Sequence, residues 1–411
     1  MRIPYIITGI FMCLNPWLAQ ATTLAQAMAQ AVAQHPRLQI AEQGIAIARG
    51  QLSEQRAYAY NPQLSVEPQR RQLNNGGTAN DYYITLSQGI ETGGKRNFRT
   101  QAAEAAFNAA DHEKRATRQH LAINAARSFV DLYYARQRLQ LRQQQSQMLH
   151  QLSKALQRQL NVGESSQLDA NLAHSTYAAA LNATLVAQQA FTQNLMRYAA
   201  ALALPASQAS DKLSLPEILL NWHIPDHAYE LALESRSDIA SLRSRMEQSN
   251  AEADLAGARR IPDITLSAMS GREAGEQLVK LGVSVPFLVF NSHQGAYQAA
   301  LADSERMQNE LKWSEQQLSL AVDAAITGHK YAMQALKDIA TSDTAAQDTI
   351  TLARKAYAAG ELDLEELVVH IRQGLDARLT VLDTVQQGWM ARIRLAEVLG
   401  HQEYILQGIQ Q

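Results

Sequence analysis

The chain has 411 residues, of which 46% are hydrophobic and 18% are charged, so it is long enough to bury a sizeable core. Its formal net charge is −2 at pH 7, which excludes the strongly basic footprint of a nucleic-acid-binding protein. Aromatic residues make up only 6%, while alanine, leucine and glutamine dominate long stretches, a composition typical of packed helices.

The N-terminus, residues 1–21, has the features of a secretory signal peptide. Arg2 supplies a positive charge, and an apolar stretch follows from Ile6 to Leu18. Ala19-Gln20-Ala21 then offers a cleavage site between small residues. The alternative is a membrane anchor, but the stretch is shorter than the ~20 apolar residues that a span needs.

The only cysteine, Cys13, lies inside this N-terminal segment, so the mature chain would have no disulfide and no thiol chemistry. Lipidation of Cys13 stays an alternative, although the residues before it lack the small side chains of a lipidation signal. No later stretch reaches 18 consecutive apolar residues, so no transmembrane helix is predicted in the mature chain. An exported protein of this kind is either soluble or crosses a membrane as β-strands.

The sequence indicates an internal duplication, with the same order of elements in each half. Residues 61–65 (NPQLS) resemble residues 261–265 (IPDIT), and residues 161–164 (NVGE) resemble residues 358–361 (AAGE). Two long stretches without proline permit long helices in both copies. The predicted organisation is a signal peptide (1–21), a first repeat (22–203), a linker (204–225) and a second repeat (226–411).

Each repeat is predicted to contain a leading helix, two short strands, one very long helix, a glycine turn and a shorter return helix. In the first repeat these are Thr22–Ala59, 62–70, 81–90, Phe98–Val162 and 164–203. In the second repeat they are Asp226–Arg259, 263–271, 278–286, Ala296–Ala359 and 361–400. A helix of about 65 residues is ~100 Å long, which matches a return helix and a leading helix placed end to end. A tube wall of coiled-coil pairs follows from these lengths.

The second long helix has a coiled-coil seam with apolar residues three, four or seven apart. Its members are Leu311, Leu318, Val322, Ala325, His329, Ala332, Leu336 and Ile339. A counterpart in the first repeat consists of Leu149, Leu152, Leu156 and Leu160. His329 is expected to be a packed polar residue of the seam rather than a metal ligand.

The strands alternate between an apolar and a small or polar face, and their length suits a tilted bilayer-crossing strand of ~9–11 residues. The side chains predicted to face lipid are Leu64, Val66, Tyr82, Ile84, Leu86, Ile264, Leu266 and Leu281. The alternative is a pair of surface hairpins on a soluble protein. Because four strands cannot close a barrel, the membrane interpretation requires several copies, and a cyclic trimer would bring four strands from each of three chains.

Two sequence patterns that imitate functional sites are set aside. Residues 89–95 (GIETGGK) fit a phosphate-binding loop, but Arg96 stands where Ser or Thr should hold magnesium, and nucleotide is scarce outside the cell. His223 and His227 have a zinc-like spacing, but Pro225 interrupts any helix between them and further ligands are missing. No catalytic motif and no cofactor site is predicted, so the chain is not expected to be an enzyme.

The duplicated strand-pair and helical-hairpin plan, the signal peptide and the two glycine turns resemble the TolC-type outer-membrane efflux proteins over essentially the whole mature chain. The segment 86–96 (LSQGIETGGKR) and its counterpart, 283–287 continuing to 291–295, are similar to the CzcC-like branch, which serves heavy-metal pumps of the RND class. The resemblance implies a mainly α fold with a small β part. It also implies a homotrimer with an outer-membrane β-barrel on a long periplasmic α-helical barrel, docked to a periplasmic adaptor and an inner-membrane RND pump.

In this family the helical tips form the periplasmic end and acidic residues near them narrow the pore. The matching tip turns are Val162, Gly163 and Glu164, and Ala359, Gly360 and Glu361. The candidate pore constriction consists of Asp169, Asp363, Glu365 and Glu366, while Val369 replaces a further family acid. The alternative is that these acids are a solvated first helical turn, favoured by the helix dipole.

Gly93, Gly94, Lys95 and Arg96 are predicted to form a tight strand-to-helix turn near the membrane edge, with Lys95 and Arg96 in the interface. The function expected from the resemblance is an outer-membrane channel of a tripartite system that exports divalent heavy-metal cations. A multidrug or type I secretion channel of the same architecture is an alternative, and a soluble periplasmic scaffold or adaptor is an alternative of another class.

Overall fold

In a computed structural model of the chain, the described residues are 21–33, 35–72, 76–216 and 224–406. The predicted signal peptide up to Gln20, including Cys13, lies outside them, and so does His223. The strands are β1 (Thr22–Thr23), β2 (Gln63–Gln72), β3 (Thr78–Ile90), β4 (Leu213–Ser214), β5 (Ile264–Glu273) and β6 (Glu276–Ser284). The α-helices are α1 (Leu24–Ala33), α2 (Pro36–Arg56), α3 (Lys95–Asn161), α4 (Gln167–Ala201), α5 (Ala228–Ser235), α6 (Ser237–Ala258), α7 (Gln294–Asp338), α8 (Ser342–Ala358) and α9 (Leu364–Leu399).

The chain divides into two compact units. The sheet unit comprises Ala31–Asn124, Leu219–Ala340 and Gln387–Gln411. The hairpin unit comprises Met1–Gln30, Ala125–Ile218 and Thr341–Gln386. Each unit takes residues from both repeats, so the two repeats do not fold as separate domains.

The sheet unit holds one antiparallel four-stranded sheet in the order β2-β3-β5-β6. The predicted strands correspond to these four, with ends shifted by at most three residues. β5 and β6 are joined by a two-residue turn, Ala274-Gly275, whose φ angles of 50° and 94° match the twist of a hairpin. The buried Asp81 stabilises this turn, because its Oδ1 accepts a hydrogen bond of 2.9 Å from the Ala274 amide. Before Pro286, which lacks an N–H donor, β6 ends at Ser284.

The leading helices of both repeats are broken, which differs from the sequence prediction of single helices. In the first repeat Pro36 begins α2, and the His35 Nδ1 caps it by accepting from the Arg37 amide. Proline cannot continue a helix but suits its first turn, so the chain restarts there. In the second repeat α6 begins at Ser237, so the two breaks lie 237 − 36 = 201 residues apart, close to the spacing of the proline motifs.

The predicted single helix Ala296–Ala359 is also two helices, since α7 ends at Asp338 and α8 begins at Ser342. The Ala340 amide turns to the Lys337 carbonyl, three residues back, which tightens and ends the last turn of α7. A run of short polar residues, 341–344, follows, and such residues have low helix propensity, a local effect that the seam pattern does not reveal. In the first repeat α3 runs unbroken for 67 residues, as predicted, and is ~100 Å long.

The core of the sheet unit is built on the predicted seam. Leu311, Leu318, Val322 and Ala325 of α7 are buried against α5, α6 and the end of α9. His329 is buried too, as expected for a seam residue. Further along, Met333 is buried instead of the predicted Ala332, whereas the predicted Leu336 is buried again.

The hairpin unit packs α3, α4, α8 and α9 around a second core. Leu149 of α3 is buried with Ala180, Ala353, Leu367 and Ile371. Separately, β1 pairs in parallel with β4, and this ladder ties the start of the described chain to the segment after α4. Among the described residues, no helix is both long enough and apolar enough to cross a membrane.

Candidate functional site

The first tip turn closes the hairpin between α3 and α4. Gly163 has a φ of 81°, a left-handed conformation that glycine adopts without steric cost. The Glu164 amide donates to the Gln159 carbonyl at 2.9 Å, and the Gly163 amide donates to the Leu160 carbonyl at 3.1 Å. These bonds satisfy carbonyls that the end of α3 leaves unpaired. Val162 beside them is exposed.

The second tip turn repeats this geometry between α8 and α9. Gly360 has a φ of 79°, and Ala359 precedes it at the end of α8. The Glu361 amide donates to the Ala356 carbonyl at 2.9 Å, and the Gly360 amide donates to the Tyr357 carbonyl at 3.1 Å. Residues 161–164 and 358–361, which resemble each other in sequence, therefore form two turns with the same backbone hydrogen bonds.

Two of the four candidate pore acids cap a helix, and a third, Asp169, is hydrogen-bonded to the capping residue Ser166. Asp169 sits in the first turn of α4, where its Oδ2 accepts from the Ser166 hydroxyl at 2.7 Å. Asp363 and Glu366 form a reciprocal capping box at the start of α9. The Asp363 Oδ1 accepts from the Glu366 amide at 2.8 Å, and the Glu366 Oε2 accepts from the Asp363 amide at 3.0 Å. Glu365 is exposed in the same turn.

The two acidic helix starts lie together. Leu156, Ala173 and Leu364 share one small core, so the first turns of α4 and α9 pack side by side against the end of α3. Burial, together with the negative charge of Asp169, raises the pKa of Tyr357 in this cluster. The helix that carries Asp169 and the helix that carries the 363–366 acids thus meet at one apolar cluster near their N-terminal ends, and the exposed Val369 lies one turn further along α9.

The strand-to-helix turn after β3 is held by the second repeat. Gly93 and Gly94 have φ angles of 68° and 74°. A Cβ atom on Gly93 would lie 2.9 Å from the Ile261 Cδ1, so this close approach also requires glycine. Lys95 begins α3 and is buried, which differs from the predicted position in the interface. Its Nζ donates to the Asp263 Oδ1 and to the Ile261 carbonyl, both at 2.6 Å.

Arg96 has a different environment from Lys95. Its guanidinium donates to the Arg56 carbonyl at 2.8 Å and lies 4.5 Å from the centre of the Tyr58 ring. The turn is therefore a structural joint, and Lys95 is engaged in protein contacts rather than aimed at a phosphate.

Sequence reasoning missed the centre of this joint, Asp263. Besides Lys95, the Asp263 carboxylate accepts from the Thr92 amide at 2.9 Å and from the Tyr60 hydroxyl at 2.7 Å. Burial alone would raise the pKa of Asp263, but the hydrogen bonds from Lys95, Thr92 and Tyr60 outweigh it and lower the pKa. The available signal was the difference between the two repeat motifs, because Asp263 stands where the first repeat has Gln63.

The residues predicted to face lipid occupy one face of the sheet. The strand register pairs Leu64 with Leu86 and Val66 with Ile84. The row that contains Leu64 and Leu86 continues through Ala268 on β5 to Leu281 on β6. Leu266 and Ile264 lie on the same face of β5, in the neighbouring rows. Tyr82 lies on this face as well, because it is two residues from Ile84. Most of these side chains are exposed, whereas Ser65, Thr85 and Ser267 lie on the opposite face.

The histidine pair with zinc-like spacing lies only partly within the described residues. His227 occupies the N-cap position of α5 without a side-chain hydrogen bond to the helix, and His223 lies outside the described residues. Within the part of the chain that the structure describes, no three His, Cys, Asp or Glu side chains come together as a metal-binding group.

Comparison with known proteins identifies the class. The family model described as outer membrane efflux protein matches residues 27–204 and 228–402, one match for each repeat. The chain belongs to this family. It is therefore an outer-membrane efflux channel of the TolC type, and a transport protein rather than an enzyme.

The individual proteins that the chain resembles have low sequence identity to it. The chain is 26% identical over 316 residues to the cobalt-zinc-cadmium resistance protein CzcC of Cupriavidus metallidurans, covering 76% of this chain and 72% of CzcC. It is 23% identical over 388 residues to the outer membrane efflux protein BepC of Brucella suis, covering 90% and 78% of the two chains. Its fold superposes on the crystal structure of the Campylobacter jejuni CmeC outer membrane channel with a TM-score of 0.80, 14% identity and coverage of 97% and 93%.

Proposed function

We propose that this channel is the outer-membrane component of a tripartite efflux system that exports divalent heavy-metal cations. The single observation that carries the choice of substrate is the similarity to CzcC, whose name records resistance to cobalt, zinc and cadmium. The channel itself would be passive. It would offer a water-filled exit, while an RND pump in the inner membrane supplies energy and selectivity and a periplasmic adaptor joins the two.

A trimer is part of this proposal. The four-stranded sheet has an apolar exposed face and ends at two open edges, β2 and β6. Unpaired strand edges in lipid leave backbone groups without hydrogen-bond partners, so neighbouring copies would have to complete the barrel. Three copies supply a number of strands that suits a membrane barrel, and the hydrogen-bonded tips would point into the periplasm.

The acids at the hairpin ends support cation passage. Asp169, Asp363, Glu365 and Glu366 lie at two adjacent helix starts, and a ring of such sites would concentrate cations at the pore mouth. The channel would not need a tight metal site, because tight binding slows release.

The test is a deletion strain exposed to zinc, cobalt, cadmium, nickel, copper and silver salts and, in parallel, to common drugs and dyes. Selective loss of metal resistance, restored by the gene, is the expected result. Loss of drug resistance alone would overturn the metal assignment and favour a multidrug channel.

A further inference from the structure

The two faces of the four-stranded sheet differ in charge at the end that lies furthest from the helices. The strand register places every carboxylate of these four strands on the face of Ser65 and Thr85, opposite the apolar face; they are Glu67, Asp81, Glu273 and Glu276. Arg71 lies on the same face and is neutralised there. Its guanidinium is 3.1 Å from the Asp81 carboxylate and 3.2 Å from the Glu273 carboxylate.

Two other arginines, Arg70 and Arg272, lie on the apolar face at the same end of the sheet. Arg70 is four residues beyond Val66 on β2, and Arg272 on β5 pairs with Tyr82 on β3. The Arg272 Nε donates to the Gly275 carbonyl at 3.2 Å, which holds this guanidinium beside the hairpin turn. Both arginines are exposed, and among the described residues no ion pair within the chain includes either of them. Within the four strands the apolar face therefore carries two positive charges and no negative one.

The height of the two arginines along the strands matches the outer edge of a membrane-spanning band. Arg272 is eight residues beyond Ile264 on β5. On β3, Asn80, which pairs with Arg70, is ten residues before Ile90, the partner of Ile264. With a rise of ~3.4 Å per residue and a strand tilt of ~40°, the arginines stand ~21 and ~26 Å above the isoleucine pair. An outward-facing apolar band is ~25 Å tall, so both arginines lie where hydrocarbon gives way to headgroups.

Arg70 and Arg272 are also close enough to contact one headgroup together. Strand β3 lies between them, which separates them by two strand spacings of ~4.8 Å, and Arg70 is two residues, or ~6.8 Å, further from the helices. Their Cα atoms are thus ~12 Å apart, a span that two long side chains can bridge from both sides of a sugar headgroup. Tyr82 between them is 49% exposed and is of the type that sits at membrane interfaces.

We propose that Arg70 and Arg272 bind the phosphate groups of lipid A, the headgroup of the lipopolysaccharide in the outer leaflet of the outer membrane. The proposal rests on the lipid-facing sheet and the periplasmic tips proposed above, which put this end of the sheet in the outer leaflet. An arginine without a counter-ion is costly beside hydrocarbon, and the chain supplies no carboxylate on this face. Lipid phosphates supply the missing charge, and a guanidinium is a planar fork of donors that fits their oxygens.

Lipid retention by the full-length channel tests this site. The channel is extracted from outer membranes in mild detergent, and the lipid A released from it is quantified per chain by mass spectrometry. The double variant Arg70→Gln with Arg272→Gln is expected to bind lipopolysaccharide at least tenfold more weakly than the parent, since each arginine contributes a charge-assisted contact worth about a factor of ten. Lys280→Gln is the matched control. It removes a positive charge from the opposite face of the same sheet and is expected to retain as much lipid as the parent.

A second measurement uses the parent channel without substitution. Delipidated channel is mixed in detergent with lipid A, with enzymatically dephosphorylated lipid A, with phosphatidylglycerol or with inorganic phosphate, and its thermal unfolding is followed. Only lipid A that retains its phosphates is expected to raise the melting temperature. An equal rise with dephosphorylated lipid A would overturn the role of the phosphates, and an equal rise with phosphatidylglycerol or inorganic phosphate would overturn the choice of lipid A.

The outcomes separate this site from the function on which it rests. Unchanged lipid retention in the double variant, or an equal loss in Lys280→Gln, would overturn the lipid site and leave the proposed export function in place. A parent chain whose sheet does not insert into the outer membrane would overturn both.

Discussion

Lys95 and Asp263 form an ion pair that joins the two repeats at the end of the sheet where α3 begins. They are 168 residues apart in sequence, yet the Lys95 Nζ lies 2.6 Å from the Asp263 Oδ1 in a largely buried joint. Lys95 begins the long helix α3, and Asp263 immediately precedes β5, so one ion pair fixes the start of a helix from one repeat to a strand from the other. The Thr92 amide and the Tyr60 hydroxyl donate further hydrogen bonds to the same carboxylate.

Breaking this pair is expected to destabilise the channel. Lys95→Met leaves the Asp263 carboxylate partly buried without its cation and should cost about 2–3 kcal/mol. Adding Asp263→Asn should recover part of this loss, because an amide still accepts from Thr92 and carries no charge. Thermal unfolding followed by far-UV circular dichroism measures the effect. Additive losses in the double variant would show that the two residues do not interact.

The Gly93 position offers a test of backbone strain. Gly93→Ala forces a side chain into a φ of 68° and brings its Cβ atom to 2.9 Å from the Ile261 Cδ1. We expect a loss of about 2 kcal/mol. Gly295→Ala is the matched control, since a Cβ atom there meets nothing and alanine favours the helix. Equal effects of the two substitutions on the unfolding midpoint would contradict the requirement for glycine at position 93.

The observed capping by Glu366 can be separated from its proposed charge in the pore. Glu366→Gln keeps an oxygen that can accept from the Asp363 amide but removes the charge, whereas Glu366→Ala removes both. Both variants are expected to lower cation selectivity in single-channel recordings. Only Glu366→Ala should also lower stability, by about 1 kcal/mol. If selectivity survives in Glu366→Gln, the residue is a helix cap and not part of the constriction.

Acid should weaken the sheet unit through His329. Burial, with a smaller contribution from the positive charge of Arg392, lowers the pKa of His329 from 6.5 to about 4. Above pH 6.5 both the folded and the unfolded chain hold His329 neutral, so it adds no pH dependence. Between pH 6.5 and about 4 only the unfolded chain binds the proton, so the free energy of unfolding falls as the pH falls, by roughly 3 kcal/mol in all.

Replacing the imidazole checks this acid dependence. His329→Leu should flatten the decline in stability between pH 6.5 and 4, measured by thermal unfolding at a series of pH values. The exposed His174→Gln variant serves as the control and should keep the slope of the parent protein. A His329→Leu protein with the same slope as the parent would contradict the role of the buried imidazole.

Substitutions on the two faces of the sheet test whether the apolar face contacts lipid. Leu266→Asp places a charge on this face and should cost about 2 kcal/mol and reduce insertion into the outer membrane. Thr85→Asp, on the opposite face of the same sheet, should be tolerated because that face would line water. Membrane fractionation and heat-modified mobility on gels distinguish the two. Normal insertion of the Leu266→Asp protein would count against a lipid-facing sheet.

The sequence predicted those parts of the fold that depend on periodicity. The four strands, the unbroken α3 and the two tip glycines follow from alternation, heptad spacing and the repeat. The break between α7 and α8 was not predicted, because it coincides with a run of short polar residues, 341–344, that heptad spacing does not reveal. Asp263 was missed for another reason. Its partners come from distant parts of the chain, and no local pattern indicates that a loop carboxylate meets a helix-starting lysine.

The two hairpin ends share one backbone geometry but differ in charge. The first carries Glu164 and Asp169, while the second carries four acids, Glu361, Asp363, Glu365 and Glu366, behind the same left-handed glycine. A protein that recognises only the shape of the turn would fit either end, whereas one with a basic patch would prefer the second. The duplication has therefore produced two hairpin ends with the same backbone shape and different charge, which a docking protein would be able to distinguish.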